Sequence, residues 1–184
     1  LRPQIRGKSM EEQILHEKLQ AIELLVMDVD GTMTDGAMYF SASGEELKRF
    51  STRDGMGINL LQLAGIDTAI MTSESSPIVT ARAKKLKIKH VILGSKNKYH
   101  ALMELAEQLA LPLKKIAYIG DDVNDIPPFK LAGVKACPAD SVPQIKELAD
   151  YICQAGGGNG AVREFADLIL SAQNKPLTVP EDNW

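Results

Sequence analysis

Asp28 and Asp30 stand two residues apart in the run Asp28-Val29-Asp30-Gly31-Thr32, and a second acidic group forms the run Gly120-Asp121-Asp122-Val123-Asn124-Asp125. Between them in the chain lie Thr72-Ser73 and Lys98. Carboxylates gathered in one place repel one another and are costly to desolvate unless a cation neutralises them. A ligand set made only of oxygens suits a hard ion, so Mg²⁺ is the expected cofactor, with Asp28, Asp30, Asp121 and Asp125 as its candidate ligands. With the ion and Lys98 screening its charge, Asp28 can approach an anionic phosphoryl group and displace the ester oxygen, giving an aspartyl-phosphate. Asp30 can protonate the departing alcohol and later activate water. Read singly, each signal has a plainer meaning. A close aspartate pair can be a turn, an acidic run suits a helix N-terminus, a threonine can end a strand and a lysine can be a solvated helix charge. Their order along the chain gives the chemical reading its force.

That order matters because of the elements around them. The compact apolar runs at 24–28, 68–72, 90–93, 115–120 and 134–137 are short enough for strands buried on both faces. Helical spacing recurs at 55–64, 76–86, 97–109, 124–132 and 141–149, so the alternation predicts βαβ units with right-handed crossovers. The expected fold is α/β: a three-layer, Rossmann-like sandwich around a parallel sheet. Ligands of such sheets bind beyond the carboxyl ends of the strands, and the runs named above all fall there. A leading helix is expected over 9–21, with Ser9 as N-cap and Ile14, Leu15 and Leu19 at helical spacing. Residues 34–51 break the rhythm. Turn chemistry at Asp35-Gly36 and Ser43-Gly44 around two extended pieces predicts a projecting β-hairpin. Nothing marks a second or cap domain, so the site must be covered by something small or by another subunit. Gly156–Gly160 reads as a plain loop or a substrate-binding one before a helix over 162–173, and 174–184 reads as a tail.

The bulk properties fit one domain: 184 residues, 45% apolar and 24% charged. A net charge of -3 offers no basic surplus for a nucleic-acid backbone. No apolar run approaches a membrane span, and the first ten residues, LRPQIRGKSM, lack the apolar core of a signal peptide, so a cytoplasmic protein is expected. Cys137 and Cys153 read as small buried hydrophobes, and His16, His90 and His100 as surface or packing residues.

The four segments resemble the motifs of the haloacid dehalogenase superfamily: DVDGT (28–32), Thr72, Lys98 and GDDVND (120–125). The resemblance implies Asp28 as nucleophile, Asp30 as acid/base, Thr72 with Ser73 and Lys98 as phosphate ligands, and Asp121 as metal ligand beside Asp28 and the Asp30 backbone carbonyl. It implies a supporting role for Asp125. Residues 35–58 and 156–173 further resemble the capless, tetrameric branch that contains the 3-deoxy-D-manno-octulosonate (Kdo) 8-phosphate phosphatases. In that branch the hairpin helps assemble four subunits and a neighbour covers each site, which implies a homotetramer acting on a small phosphorylated sugar acid and a tail able to fold over a site. Arg53, Glu74, Lys85 and Arg163 are the implied substrate contacts. Members acting on eight-carbon Kdo usually carry arginine where this sequence has Glu74. Glu74 with Lys85 is similar to the members acting on nine-carbon sugar acid 9-phosphates, whereas Arg53-Asp54-Gly55 and the stretch after Gly156 are similar to the Kdo members. A phospho-aspartate receiver would carry its acidic pair after the first strand and its acceptor after the third, a different order from this one. A catalytically silent oligomerising domain would not need the intact motif set.

Overall fold

The computed structural model describes residues 9–180, so the first eight residues, and with them most of the segment judged to lack a signal peptide, lie outside the described residues. The first helix, α1 (Met10–Gln20), starts at Ser9, where a capping box forms: Glu12 N donates to Ser9 Oγ and Ser9 N donates to a Glu12 carboxylate oxygen. Leu15 and Leu19 turn towards the core, while Ile14 stays about half exposed.

Strand β1 (Leu24–Met27) leads into a tight turn and then the hairpin β2 (Tyr39–Ser41) and β3 (Gly44–Leu47). After it come α2 (Thr52–Leu63), β4 (Asp67–Met71), α3 (Pro77–Lys85), β5 (His90–Ile92), α4 (Lys98–Gln108) and β6 (Ile116–Ile119). The chain closes with α5 (Ile126–Phe129), β7 (Val134–Cys137), α6 (Pro143–Lys146), β8 (Tyr151–Ile152) and α7 (Ala161–Ala172). The main sheet runs β5-β4-β1-β6-β7-β8, parallel at every pairing. β1 is central and pairs in register with β4 (Met27 with Ile70) and β6 (Met27 with Ile119).

Strand residues alternate between two apolar layers. Leu25, Met27, Ile70 and Ile119 pack with α1, α2, α3 and α7, while Leu24, Val26, Met71 and Tyr118 pack with α4, α5 and α6. The expected three-layer sandwich is therefore present, and the described residues contain no cap domain. The hairpin forms its own two-stranded sheet, joined at its base by a bridge between Thr34 and Phe50. No helix among the described residues is long and apolar enough to cross a membrane.

Three elements differ from the pattern read in the sequence. A sixth strand, β8, extends the sheet beyond β7; two residues, one half-buried and one exposed, leave too little alternation to recognise. The helix expected over 124–132 is a single turn (Val123–Asp125) followed by four residues of α5, because Pro127 and Pro128 remove two backbone donors. The helix expected over 141–149 shrinks to α6, which begins at Pro143. After α7 the Gln173 side chain donates to the Leu19 and Ile22 carbonyls, and Val179 packs against the core. Residues 181–184, the end of the expected tail, lie outside the described residues.

Candidate active site

Because β1 and β6 are adjacent, the residues that follow them meet. Asp28 follows β1 in extended conformation, and its N–H donates to the Ile119 carbonyl of β6. The chain then turns at Gly31, whose φ is +91°. A Cβ there would stand 2.0 Å from Asp121 Oδ2, so glycine is needed both for the turn and for Asp121 to lie against it. Thr32 Oγ1 donates to Asp121 Oδ1 at 3.1 Å.

Lys98 opens α4, a helix capped by the Asn97 side chain. It is 3% exposed, and its ammonium donates to Asp28 Oδ1 at 2.6 Å and to Asp125 Oδ1 at 2.7 Å. Asp125 is fully buried and satisfied. Oδ1 also accepts from the Tyr118 hydroxyl at 2.8 Å, and Oδ2 accepts from the backbone N–H groups of Asp121 and Asp122. One ammonium thus serves two buried carboxylates while Asp121 stands beside them. Burial, followed by the charge of Asp125, pushes the Asp28 carboxyl well above its ordinary range against the pull of Lys98. Burial and Asp125 likewise raise Asp121, to about 6. Burial draws Lys98 towards neutrality, but Asp28 and Asp125 outweigh it and keep the ammonium charged.

Single carboxylate oxygens of Asp28, Asp121 and Asp125 lie within 4.8 Å of one another. Such an all-oxygen set, short of positive charge, fits a hard divalent cation. Thr72, at the end of β4, is buried, and its Oγ1 accepts from Glu74 N. The cleft at this sheet edge, about 210 Å³, is lined by Asp28, Asp30, Thr72, Ser73 and Glu74, with Met38, Asp122 and Asn124 completing it. A larger hollow of about 650 Å³ between α1 and α7 lies away from these strand ends, so chemistry and not size locates the site.

The structure thus brings Asp28, Asp30, Thr72, Ser73, Glu74, Lys98, Asp121 and Asp125 to one edge. The other implied substrate contacts stand apart within a single chain. Lys85 lines a separate groove with Thr52, Asn59 and Arg82; Arg53 is exposed on the first turn of α2; and Arg163 pairs with Asp167 at 2.9 Å on α7. Two participants were not read in the sequence. Tyr118 carries a hydroxyl into a strand buried on both faces, and a buried hydroxyl requires a partner, which was the available signal. Lys48, from the hairpin, donates to Asp30 Oδ1 at 2.6 Å and had no local signal.

The glycine run, read in the sequence as a plain loop or a substrate-binding one, supports the turn after β1. Gly158 N donates to the Thr32 carbonyl, Gly157 N donates to Asp140 Oδ1, and a Cβ on Gly157 would lie 1.9 Å from the Gly31 carbonyl oxygen. The run is packed directly under the turn that carries Asp28 and Asp30. Asp54, 2% exposed, secures it from the other side by accepting from Arg163 N at the start of α7. Gly157→Ala is expected to destabilise the fold by roughly 1 to 3 kcal/mol, because backbone on both sides has to yield. Denaturant titration checks this; an unchanged midpoint would show that the contact is not tight.

A buried aspartate-lysine cluster at the carboxyl edge of a parallel sheet, with carboxylates after β1 and β6, is the arrangement of a phosphoryl-transferring hydrolase, and the chain belongs to the haloacid dehalogenase-like hydrolases, a family that matches residues 69–164. Within that family the chain is a phosphoric monoester hydrolase, similar to sugar acid phosphatases. The 3-deoxy-D-manno-octulosonate 8-phosphate phosphatase KdsC of Escherichia coli K12 is 42% identical over 158 residues, 86% of this chain and 84% of the relative. The corresponding phosphatase of Moraxella catarrhalis, solved with magnesium, phosphate and Kdo, superposes with a TM-score of 0.86 at 42% identity, covering 90% of this chain and 94% of that one. A cobalt-bound form of the Haemophilus influenzae phosphatase gives 0.84 at 39% identity, covering 85% and 92%.

Proposed function

We propose that this chain is a Mg²⁺-dependent phosphatase that converts Kdo 8-phosphate to Kdo and phosphate through an aspartyl-phosphate on Asp28. The observation that carries the reading is the Lys98 ammonium shared between buried Asp28 and Asp125, with Asp121 alongside. Asp28, Asp121 and the Asp30 backbone carbonyl would hold the ion, with Asp125 in support. Bound there, Mg²⁺ supplies charge neutralisation that lets an anionic carboxylate meet an anionic phosphoryl group. An Asp28 oxygen attacks phosphorus, the bond from phosphorus to the sugar oxygen breaks, and Asp30 gives that oxygen its proton. Asp30 then takes a proton from water as the water attacks phosphorus, releasing phosphate and restoring Asp28. Thr72, Ser73 and Lys98 hold the phosphoryl oxygens.

The eight-carbon substrate is supported by the Kdo phosphatases among the relatives. Glu74 in the cleft wall favours a second reading, a nine-carbon sugar acid 9-phosphate, whose longer chain can present hydroxyl or amide donors to a carboxylate there. Phosphate release from both substrates decides. Kdo 8-phosphate is expected to show at least a tenfold higher kcat/KM, about 1.4 kcal/mol of discrimination, and the reverse order would establish the nine-carbon reading.

A homotetramer belongs to the same proposal. The hairpin exposes Tyr39, Phe40 and Leu47, 50%, 67% and 61% accessible, beside cleft residue Met38, as a surface that a neighbouring subunit can cover. A cytoplasmic setting suits the two free thiols, Cys137 and Cys153.

A further inference from the structure

One buried cation near the cleft is not used by this mechanism. Lys48 lies one residue past β3, and its side chain has no exposed area. Its ammonium is 2.6 Å from Asp30 Oδ1 and 2.6 Å from Glu45 Oε1. Burial draws it towards neutrality, but its bonds to the two carboxylates outweigh that and hold it above its ordinary value.

A lysine between two carboxylates is most often a simple clasp, and such pairs add little stability. Two further observations separate this one from that case. With Oδ1 taken by Lys48, the other Asp30 oxygen, Oδ2, is shielded from solvent and has no hydrogen-bond partner among the described residues. An unpartnered buried oxygen is costly, so among the described residues the Lys48 bond to Oδ1 is the hydrogen bond that holds this carboxyl in place. The segment carrying Lys48 is also fixed to the site. The adjacent Arg49 donates to the Gly158 carbonyl at 3.3 Å and to Asn159 Oδ1 at 3.0 Å, within the glycine run that supports the Asp28 turn. Lys48 therefore reaches Asp30 from a segment anchored to the site through Arg49, and Glu45 steadies the ammonium from the hairpin side.

We propose that Lys48 is a positioning residue for proton transfer at Asp30: by holding Oδ1 it fixes the carboxyl plane, and with it the direction in which the carboxyl meets the leaving oxygen and the attacking water. The inference rests on the reading of Asp30 as acid/base. Its signature is sensitivity to the leaving group. A sugar alkoxide needs a proton to depart and p-nitrophenolate does not, so a misplaced acid harms the sugar ester selectively.

The test measures kcat/KM, which reports steps up to leaving-group departure, for Kdo 8-phosphate and p-nitrophenyl phosphate with wild type, Lys48→Met, Lys48→Arg and Asp30→Asn. Lys48→Met is expected to lose about 30-fold on the sugar phosphate, a part of what a general acid supplies, and less than about threefold on the aryl ester. Lys48→Arg, which keeps the cation, is expected to recover most of the loss. Equal losses on both esters, or none, would overturn the proposal. If Lys48→Met does not fold, Glu45→Gln replaces it, with a smaller loss expected in the same selective pattern and an equal loss on both esters counting against it. Asp30→Asn separates the two layers of the argument. A selective loss there without one in the Lys48 or Glu45 variants refutes the positioning role alone, whereas an unselective Asp30→Asn removes the acid/base reading and this inference with it.

Discussion

Asp28→Asn is expected to reduce phosphate release from Kdo 8-phosphate by at least about 10⁴-fold, the scale on which removal of an attacking group acts elsewhere. An amide is nearly isosteric with the carboxyl but is a poor nucleophile towards phosphorus. The fold should tolerate the change. Burial and Asp125 already disfavour the ionised form of Asp28, so a neutral group in its place removes a repulsion, and Lys98 keeps Asp125 as a partner. The measurement pairs steady-state assays with melting curves in chelator. Near-normal turnover with an unchanged melting curve would refute Asp28 as nucleophile. Collapse of the fold would show instead that the Lys98 bridge is structurally indispensable.

Removal of divalent metal is expected to bring activity to background and to change the pH dependence of stability in a defined direction. Without metal, burial and Asp125 hold Asp121 at about 6 in the folded chain, against an ordinary value of 3.8. The folded state therefore keeps a proton that the unfolded state has released. This group's contribution is fully present below about pH 4 and is lost as pH rises through about 6. A bound cation favours the ionised form and reverses the penalty. The Mg²⁺-dependent rise in melting temperature should accordingly be small at pH 5 and near its full size at pH 7.5. Equal increments at both values would exclude Asp121 as a ligand.

The acidic ends of β1 and β6, Thr72 and Lys98 were legible because their chemistry is local to strand ends, and short apolar runs reveal buried parallel strands well. Gly31 stood in the quoted run, but its close approach to Asp121 depends on β1 lying beside β6, and strand order is not written in any one segment. β8 was missed because two residues carry no period, and α5 was overestimated because the apolar spacing outvoted two adjacent prolines. Tyr118 looked like core and is core on its ring, with only its hydroxyl in the polar network. Lys48 was hidden for a different reason. A charged residue in a polar hairpin looks solvated, and only the return of the hairpin onto the β1 turn buries it against Asp30.

The packing of Gly157 and Gly158 beneath the first turn also bears on the order of assembly. Asp28 leaves the ribosome early, yet its loop gains a floor only after the residues leading into α7 have been synthesised. A nascent polypeptide lacking them would own the acidic residues, Thr72 and Lys98 and still have no rigid cradle in which to align them.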